Sequence, residues 1–404
     1  MKYGVWFVRL VFAAWMVPAG LNHFVPLFPQ PLGTQHLSQE WFQAMWNSHL
    51  FDLVKAVELI VGLGVITGFY MPIVLVIGMA VSFNVWYWDT PLEGGGAAIF
   101  GTAVLVCNVL LCLAYLENYR SMFAIRAKPR TAGAGTSTKQ LVLAGRVIFG
   151  AWMLLNGINH FFVSIHIMPS ATTPMAAQFM TAISDAHLLN VVMGIQLVAG
   201  ALILIGVLVP LALCVTMPLC VCAAFWGVII DHQPLTALVT VAAFLLNGLL
   251  MLAYIDYYKG ALQRQAVFSA KPGGYDTVFV NPTGRNSQGQ YVGAVITLLA
   301  AFAFYYFLVP GRNGQWVQLT LLFPAAMLQA RRLHDMGRSA WPVLVPAALL
   351  IATAWFWLFA PGAQAKGIVT IVAVIVSAAF ILWGLVGKGQ NEANRFGGPA
   401  LGSV

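Results

Sequence analysis

Apolar runs of about twenty residues, broken by short clusters of Pro, Gly and charge, follow one another along the whole chain, and each is long enough to cross a bilayer as an α-helix. Twelve such helices are predicted, near 5–25, 50–70, 72–88, 97–116, 141–162, 188–208, 210–230, 235–255, 291–309, 315–330, 341–360 and 367–386. Very short turns such as Gly68-Phe69-Tyr70-Met71-Pro72 and Leu208-Val209-Pro210 join neighbours. Two further stretches have a helical stripe but not the length. Trp41, Phe42, Met45 and Trp46 share one face, as do Phe179, Met180 and Ile183, with Thr173-Pro174 placed as cap and first-turn residue of the second. Aromatic amphipathic helices lying flat on the membrane surface account for both.

The pattern repeats. Arg9, Trp15-Met16 and Gly20-Leu21-Asn22-His23-Phe24 recur 137 positions later as Arg146, Trp152-Met153 and Gly157-Ile158-Asn159-His160-Phe161. At an offset of 138, His49, Gly62, Pro72 and Trp88 meet His187, Gly200, Pro210 and Trp226; at 139, Asn108, Tyr115 and Tyr119 meet Asn247, Tyr254 and Tyr258. This predicts an all-α integral membrane protein of about twelve transmembrane helices in three four-helix units, 1–130, 140–262 and 275–404, the first two an internal duplication. An even helix count makes the two copies parallel. Residues 131–138 and 264–290 read as flexible and polar linkers.

Composition agrees with a membrane class and narrows the function. Of 404 residues 60% are apolar and 8% charged, against about 25% charged in soluble domains. The first apolar run is too long for a cleavable signal and reads as a span. The formal charge of +8 is a topology signal rather than a nucleic-acid footprint. Basic residues crowd the segments after helices four and eight, between ten and eleven, and after twelve, which places both termini in the cytoplasm. The five cysteines all fall within predicted spans and read as packing residues. No Gly-rich phosphate loop, H-E-x-x-H or G-x-S-x-G motif is present, so NTPase, zinc-protease and serine-hydrolase chemistry has no support.

On Arg9, the Gly20 region and Glu58-Leu59-Ile60-Val61-Gly62, with Arg146 and Gln196-Leu197-Val198-Ala199-Gly200 in the copy, residues 1–125 and 140–262 resemble the DoxX-like family of four-helix membrane proteins. That resemblance implies association with redox systems, because the family includes a quinone-linked thiosulfate-oxidising enzyme. The cofactor stays open, with quinone the one the resemblance suggests and haem disfavoured, and its partners would be other membrane or redox subunits besides the lipid bilayer. The last third resembles a separate bacterial inner-membrane family of unknown function. The carriers are Gly284-Arg285, Ser287 and Tyr291, the string from Arg331 through Arg332, His334, Asp335 and Arg338 to Trp341, and Asn391, Asn394 and Arg395-Phe396-Gly397.

Candidate chemistry gathers in the first copy. Asp52, Lys55 and Glu58 are each one turn apart on helix two, close enough to pair. With Asn22, His23 and His49 they predict a polar pocket opening outward. The second copy offers Asn159, His160, His187, Asn190, Met193 and Gln196, similar in shape without the three ionisable groups. Three readings stand: Asn22 and His23 hydrogen-bonding a quinone while Asp52 or Glu58 carries the proton; haem or metal between the symmetry mates His23 and His160; or polar contacts that only join helices, with Arg9 neutralising Glu58. Arg9 and Arg146 lie one turn inside the membrane, where long side chains can snorkel. Arg331, Arg332, His334, Asp335 and Arg338 form a cytoplasmic loop suited to an anionic lipid headgroup or phosphate, or to a salt-bridged turn. The leading functional expectation is an accessory or anchoring membrane component of a redox system; a small-solute transporter and a purely structural partner are the alternatives.

Overall fold

The computed structural model describes residues 2–130, 136–163, 171–266, 279–308, 317–360 and 364–400. They contain fourteen α-helices, and β-structure is confined to two isolated bridges. The first set is α1 (Lys2–Phe24), α2 (His36–Asn47), α3 (Leu50–Thr67), α4 (Met71–Tyr87) and α5 (Gly95–Ala114). The middle set has the same order and the same lengths from its second helix onward: α6 (Thr136–Ile158), α7 (Pro174–Asp185), α8 (Leu188–Ile205), α9 (Val209–Phe225) and α10 (Pro234–Ala253). The third is α11 (Gln288–Leu308), α12 (Val317–Asp335), α13 (Leu344–Phe359) and α14 (Ala365–Val386).

Nine helices among the described residues are long and apolar enough to cross a membrane, so the protein is an all-α, multi-pass membrane protein. The three others expected to span are α3, α11 and α12. Asp52, Lys55 and Glu58 make α3 too charged for an isolated span. Over its described side chains α11 is apolar from Gln288 to Phe304, and α12 ends in Arg331, Arg332, His334 and Asp335.

In each of the first two sets the tightest crossing is between the first and third helices. A Cβ on Gly20 would lie 2.6 Å from the Leu59 backbone nitrogen, and one on Gly62 would lie 2.8 Å from that of Val17. Gly157 and Gly200 bring α6 and α8 together in the same way. Such close approach is what drives association where lipid is as apolar as the side chains. Gly62→Val should therefore lower the thermal midpoint in detergent, by an overpacking cost of about 1–3 kcal/mol; an unchanged midpoint would mean that the crossing relaxes freely.

Two contacts join the sets. The short helices α2 and α7 turn apolar side chains toward each other, with Trp41 and Phe179 ring centroids 5.4 Å apart and Asn47 donating to Gln178 at 3.1 Å. At the opposite end the segments after α5 and α10 are exchanged. Tyr70, which precedes α4, donates its amide to the Arg264 carbonyl at 3.0 Å, and Leu208, which precedes α9, donates to Ile125 at 3.0 Å. Each set thus supplies backbone acceptors to a helix start in the other, where amides have no intrahelical partner.

The expected linkers change accordingly. Residues 136–138 belong to α6, and 131–135 lie outside the described residues. In the second linker 264–266 is docked on the first set and 267–278 lies outside the described residues. Arg285, Asn286 and Ser287 are buried rather than linking. The third set docks on α1: Trp6 stacks near Phe279 at 4.6 Å, and the Tyr3 hydroxyl donates to the Gln290 carbonyl at 3.3 Å. All five cysteines are free; Cys214 and Cys220 are buried, Cys107 and Cys112 half-buried, and Cys222 exposed.

Candidate ligand site

The first set holds a half-open cavity of about 90 Å³ between α1, α2, α3 and the end of α4. Its walls are Trp15 and Ala19 from α1, Trp41, Phe42 and Met45 from α2, Phe51 and Val54 from α3, and Asn84, Val85 and Trp88 beyond. Phe28, Gln30 and Pro31 line it as a strap between α1 and α2. Three ionisable groups face this aromatic space: Lys55, Glu58 and Asp89. Lys55 Nζ donates to Glu58 Oε2 at 2.8 Å, with both side chains buried, and stands 4.9 Å from the Phe51 ring centroid. Of the pairs predicted along α3, this is the one that forms. It forms because spacing of three on a helix brings the two together and desolvation leaves neither charge a better partner. Glu58 is thus matched by Lys55, not by Arg9.

Asp52 turns the other way. Its carboxylate bridges His23 Nε2 at 2.8 Å and His49 Nδ1 at 3.0 Å. Phe51 stands beside His23, at 5.3 Å between centroids, and under Lys55, so its ring separates the two polar groups. His49 is exposed and left-handed at φ 60°, just before α3. Asn22 does not face the cavity. Its Oδ1 accepts from the Leu27 and Phe28 amides, both at 2.8 Å, and its Nδ2 donates to Gln30 Oε1 at 2.6 Å. It therefore shapes one end of the strap. Glu93 holds the other end, accepting from the Thr34 amide and hydroxyl and from Ser38 Oγ at 2.9, 2.5 and 2.5 Å.

The middle set keeps the framework and drops the charge. His160 Nε2 meets Asn190 Oδ1 at 2.8 Å where His23 meets Asp52. Asp231 accepts from the Thr172 amide at 2.7 Å and hydroxyl at 2.8 Å, as Glu93 does from Thr34. Met193 and Gln196 stand where the first set has Lys55 and Glu58. Among the described residues Asn159 Oδ1 and Gln196 Oε1 accept no hydrogen bond. His23 and His160 are each engaged within their own set, so they do not face one another as a haem pair would require. No group of three or more His, Cys, Asp or Glu side chains able to hold a metal ion occurs among the described residues.

Arg9 and Arg146 take equivalent places. Arg9 is buried, donates its Nε to the Val65 carbonyl at 2.6 Å, and lies 4.1 Å from the Trp6 ring centroid. Val65 is in the last turn of α3, and Arg146 lies against Gly206, the residue that ends α8. Each cation thus sits at the negative end of the third helix of its set. That shared placement explains why the arginine recurs while the acid at Glu58 does not.

The arginine-rich string of the third set is also spent on structure. Arg332 is fully buried and donates to Asp335 at 2.6 Å and to the Gly384, Gly387 and Asn286 carbonyls at 2.8, 2.6 and 3.2 Å. Arg285, from outside the string, donates to Asp335 at 3.0 Å and to the Gln390 and Glu392 carbonyls. Arg331 donates to Asn286 Oδ1 at 2.9 Å, and the His334 ring stacks on Phe396 at 3.9 Å. Arg338 alone of the five string candidates is exposed. The salt-bridged turn, rather than an open anion site, is what the string builds, with the segment 387–397 wrapped over it. Residues 279–398 match the family model described as Protein of unknown function (DUF805). The DUF805 match thus takes in every piece of this latch, from Arg285 to Gly397. No curated protein and no solved structure matches the chain.

Asp89, Asn84 and the aromatic walls were not among the site residues expected from sequence. Asp89 stands at the surface end of a predicted span, where a carboxylate is unremarkable. Its signal is the residue 138 positions on, which is Gly227.

Proposed function

We propose that the chain consists of two tandem DoxX-like four-helix units followed by a third unit carrying the DUF805 segment, set in a bacterial inner membrane with both termini cytoplasmic. Its function in this reading is that of an accessory or anchoring component of a redox system, with the first unit's cavity holding a planar, oxygen-bearing ligand of quinone type. The observation that carries the reading is the selective loss of charge between units. At four equivalent positions Asp52, Lys55, Glu58 and Asp89 are replaced by Asn190, Met193, Gln196 and Gly227, while the hydrogen bonds that shape the framework persist. Framework contacts, including that of Asp52 or Asn190 with its histidine, serve both units; the charges of Lys55, Glu58 and Asp89, which line the aromatic cavity, serve one. A ring stacked among Trp15, Trp41 and Trp88 with a carbonyl accepting from Lys55 Nζ fits such walls.

Purification in a mild detergent, followed by mass spectrometry of the extracted lipids, tests this directly. Quinone should be enriched over its ratio to phospholipid in the parent membrane. The double variant Lys55→Met, Glu58→Gln, which copies the middle unit, should lose the enrichment while the protein remains folded. Equal quinone content in the two preparations, or content no higher than the bulk membrane, would remove the basis for a quinone site.

A further inference from the structure

Asp89 is the second residue of a π-helical stretch, Trp88–Glu93, between α4 and α5, and its side chain is buried at the cavity wall. It fits there because the residue facing it on α5 is glycine: a Cβ on Gly101 would lie 2.5 Å from the Asp89 Cβ and 3.0 Å from its Oδ2. In the middle set the same two positions are filled the other way round. Gly227 follows Trp226 at the start of its own π-helical stretch, and the side chain that occupies the space beside it is Thr240 of α10. Asp89 with Gly101, and Gly227 with Thr240, are the same pair of positions, at offsets of 138 and 139. One set puts its bulk on the π-helical side as a carboxylate; the other puts it on the facing helix as a hydroxyl. Thr240 Oγ1 is meanwhile bonded to the Thr236 carbonyl at 2.8 Å, within its own helix. Packing alone is therefore satisfied by either arrangement, and the first brings a carboxylate to the cavity.

Besides the Lys55–Glu58 pair, which carries the ammonium donor, the cavity lining then carries a second carboxylate acceptor on the π-helical side. A π-helical turn is a frequent device for setting one side chain into a site. From this we propose that Asp89, admitted by Gly101, is the residue that recognises the donor end of the ligand, so that the cavity prefers a ring bearing hydroxyl groups over the same ring bearing only carbonyls. The inference rests on the quinone-type reading above and extends it, by assigning preference for the reduced, hydroxyl-bearing form to one residue pair.

Two probes separate the possibilities: a short-chain hydroquinone and its quinone, titrated into detergent-purified protein with tryptophan fluorescence from the cavity walls as readout. Wild-type protein should bind both and the hydroquinone more tightly. Asp89→Asn should weaken the hydroquinone about tenfold or more, as expected for losing a hydrogen bond to a charged group, and leave the quinone nearly unchanged. Gly101→Thr alone should displace Asp89 and lower the thermal midpoint. The pair Asp89→Gly with Gly101→Thr, which copies the middle set, should recover that midpoint without recovering hydroquinone preference. If Asp89→Asn leaves the ratio of the two affinities unchanged, or if the paired variant is no more stable than Gly101→Thr, the assignment to Asp89 and Gly101 falls while a quinone site stands. If wild-type protein binds neither probe, the quinone reading falls and takes this preference with it.

Discussion

Replacing Asp335 with alanine is expected to lower the unfolding free energy by about 3–5 kcal/mol, the cost of leaving a buried charge without its counter-ion. Here the loss is compounded, because the single carboxylate serves both Arg285 and Arg332, at 3.0 and 2.6 Å, and all three side chains are buried. The guanidinium groups retain the carbonyls of Gly384, Gly387, Gln390 and Glu392, which hold them in place but do not neutralise them. Arg332→Lys should also be costly. A lysine has one ammonium where the arginine fork reaches four separate acceptors. Thermal unfolding in detergent, together with protease sensitivity of the segment 387–397, would measure both. If Asp335→Ala leaves the midpoint and the cleavage pattern unchanged, the latch does not hold the C-terminal segment.

The second large effect lies in the cavity. Glu58→Ala leaves the Lys55 ammonium buried without its partner at 2.8 Å, and a loss of about 3–5 kcal/mol is again expected. The double change Lys55→Met, Glu58→Gln should recover most of that loss, because a buried ion pair exchanged for packed neutral groups is often neutral or better, and because the middle set already folds around Met193 and Gln196. A double variant as unstable as Glu58→Ala would mean that the ion pair is held for folding and not for a ligand.

Sequence periodicity located the helices well, because twenty apolar residues have few ways to satisfy their backbone in lipid. It also found the pairing of Lys55 with Glu58, which spacing on one helix decides. It did not find the partners of Arg9 or Asp52. Those depend on which way α1 and α3 face each other, and that is set by Gly20 and Gly62 at the crossing. The partner of the two short helices was hidden for a related reason. An apolar stripe says that a face is covered but not by what, and α2 and α7 cover one another. The arginine-rich string looked open to ligands because its acceptors are backbone carbonyls of a segment some fifty residues away, which carry no sequence signal. Asp89 was visible only through the exchange of bulk with Gly101, a relation between two positions and their two counterparts.

The exchanged segments bear on the order in which the chain is made. The Tyr70 amide is met by the Arg264 carbonyl, which leaves the ribosome 194 residues later (264 minus 70). At about 5–20 residues per second, the start of α4 stands open for about 10–40 s of synthesis, until the far end of the middle set arrives. Maturation of the first half is thereby tied to successful insertion of the second, and a product released near residue 130 would keep an unsealed helix start by which quality control could recognise it.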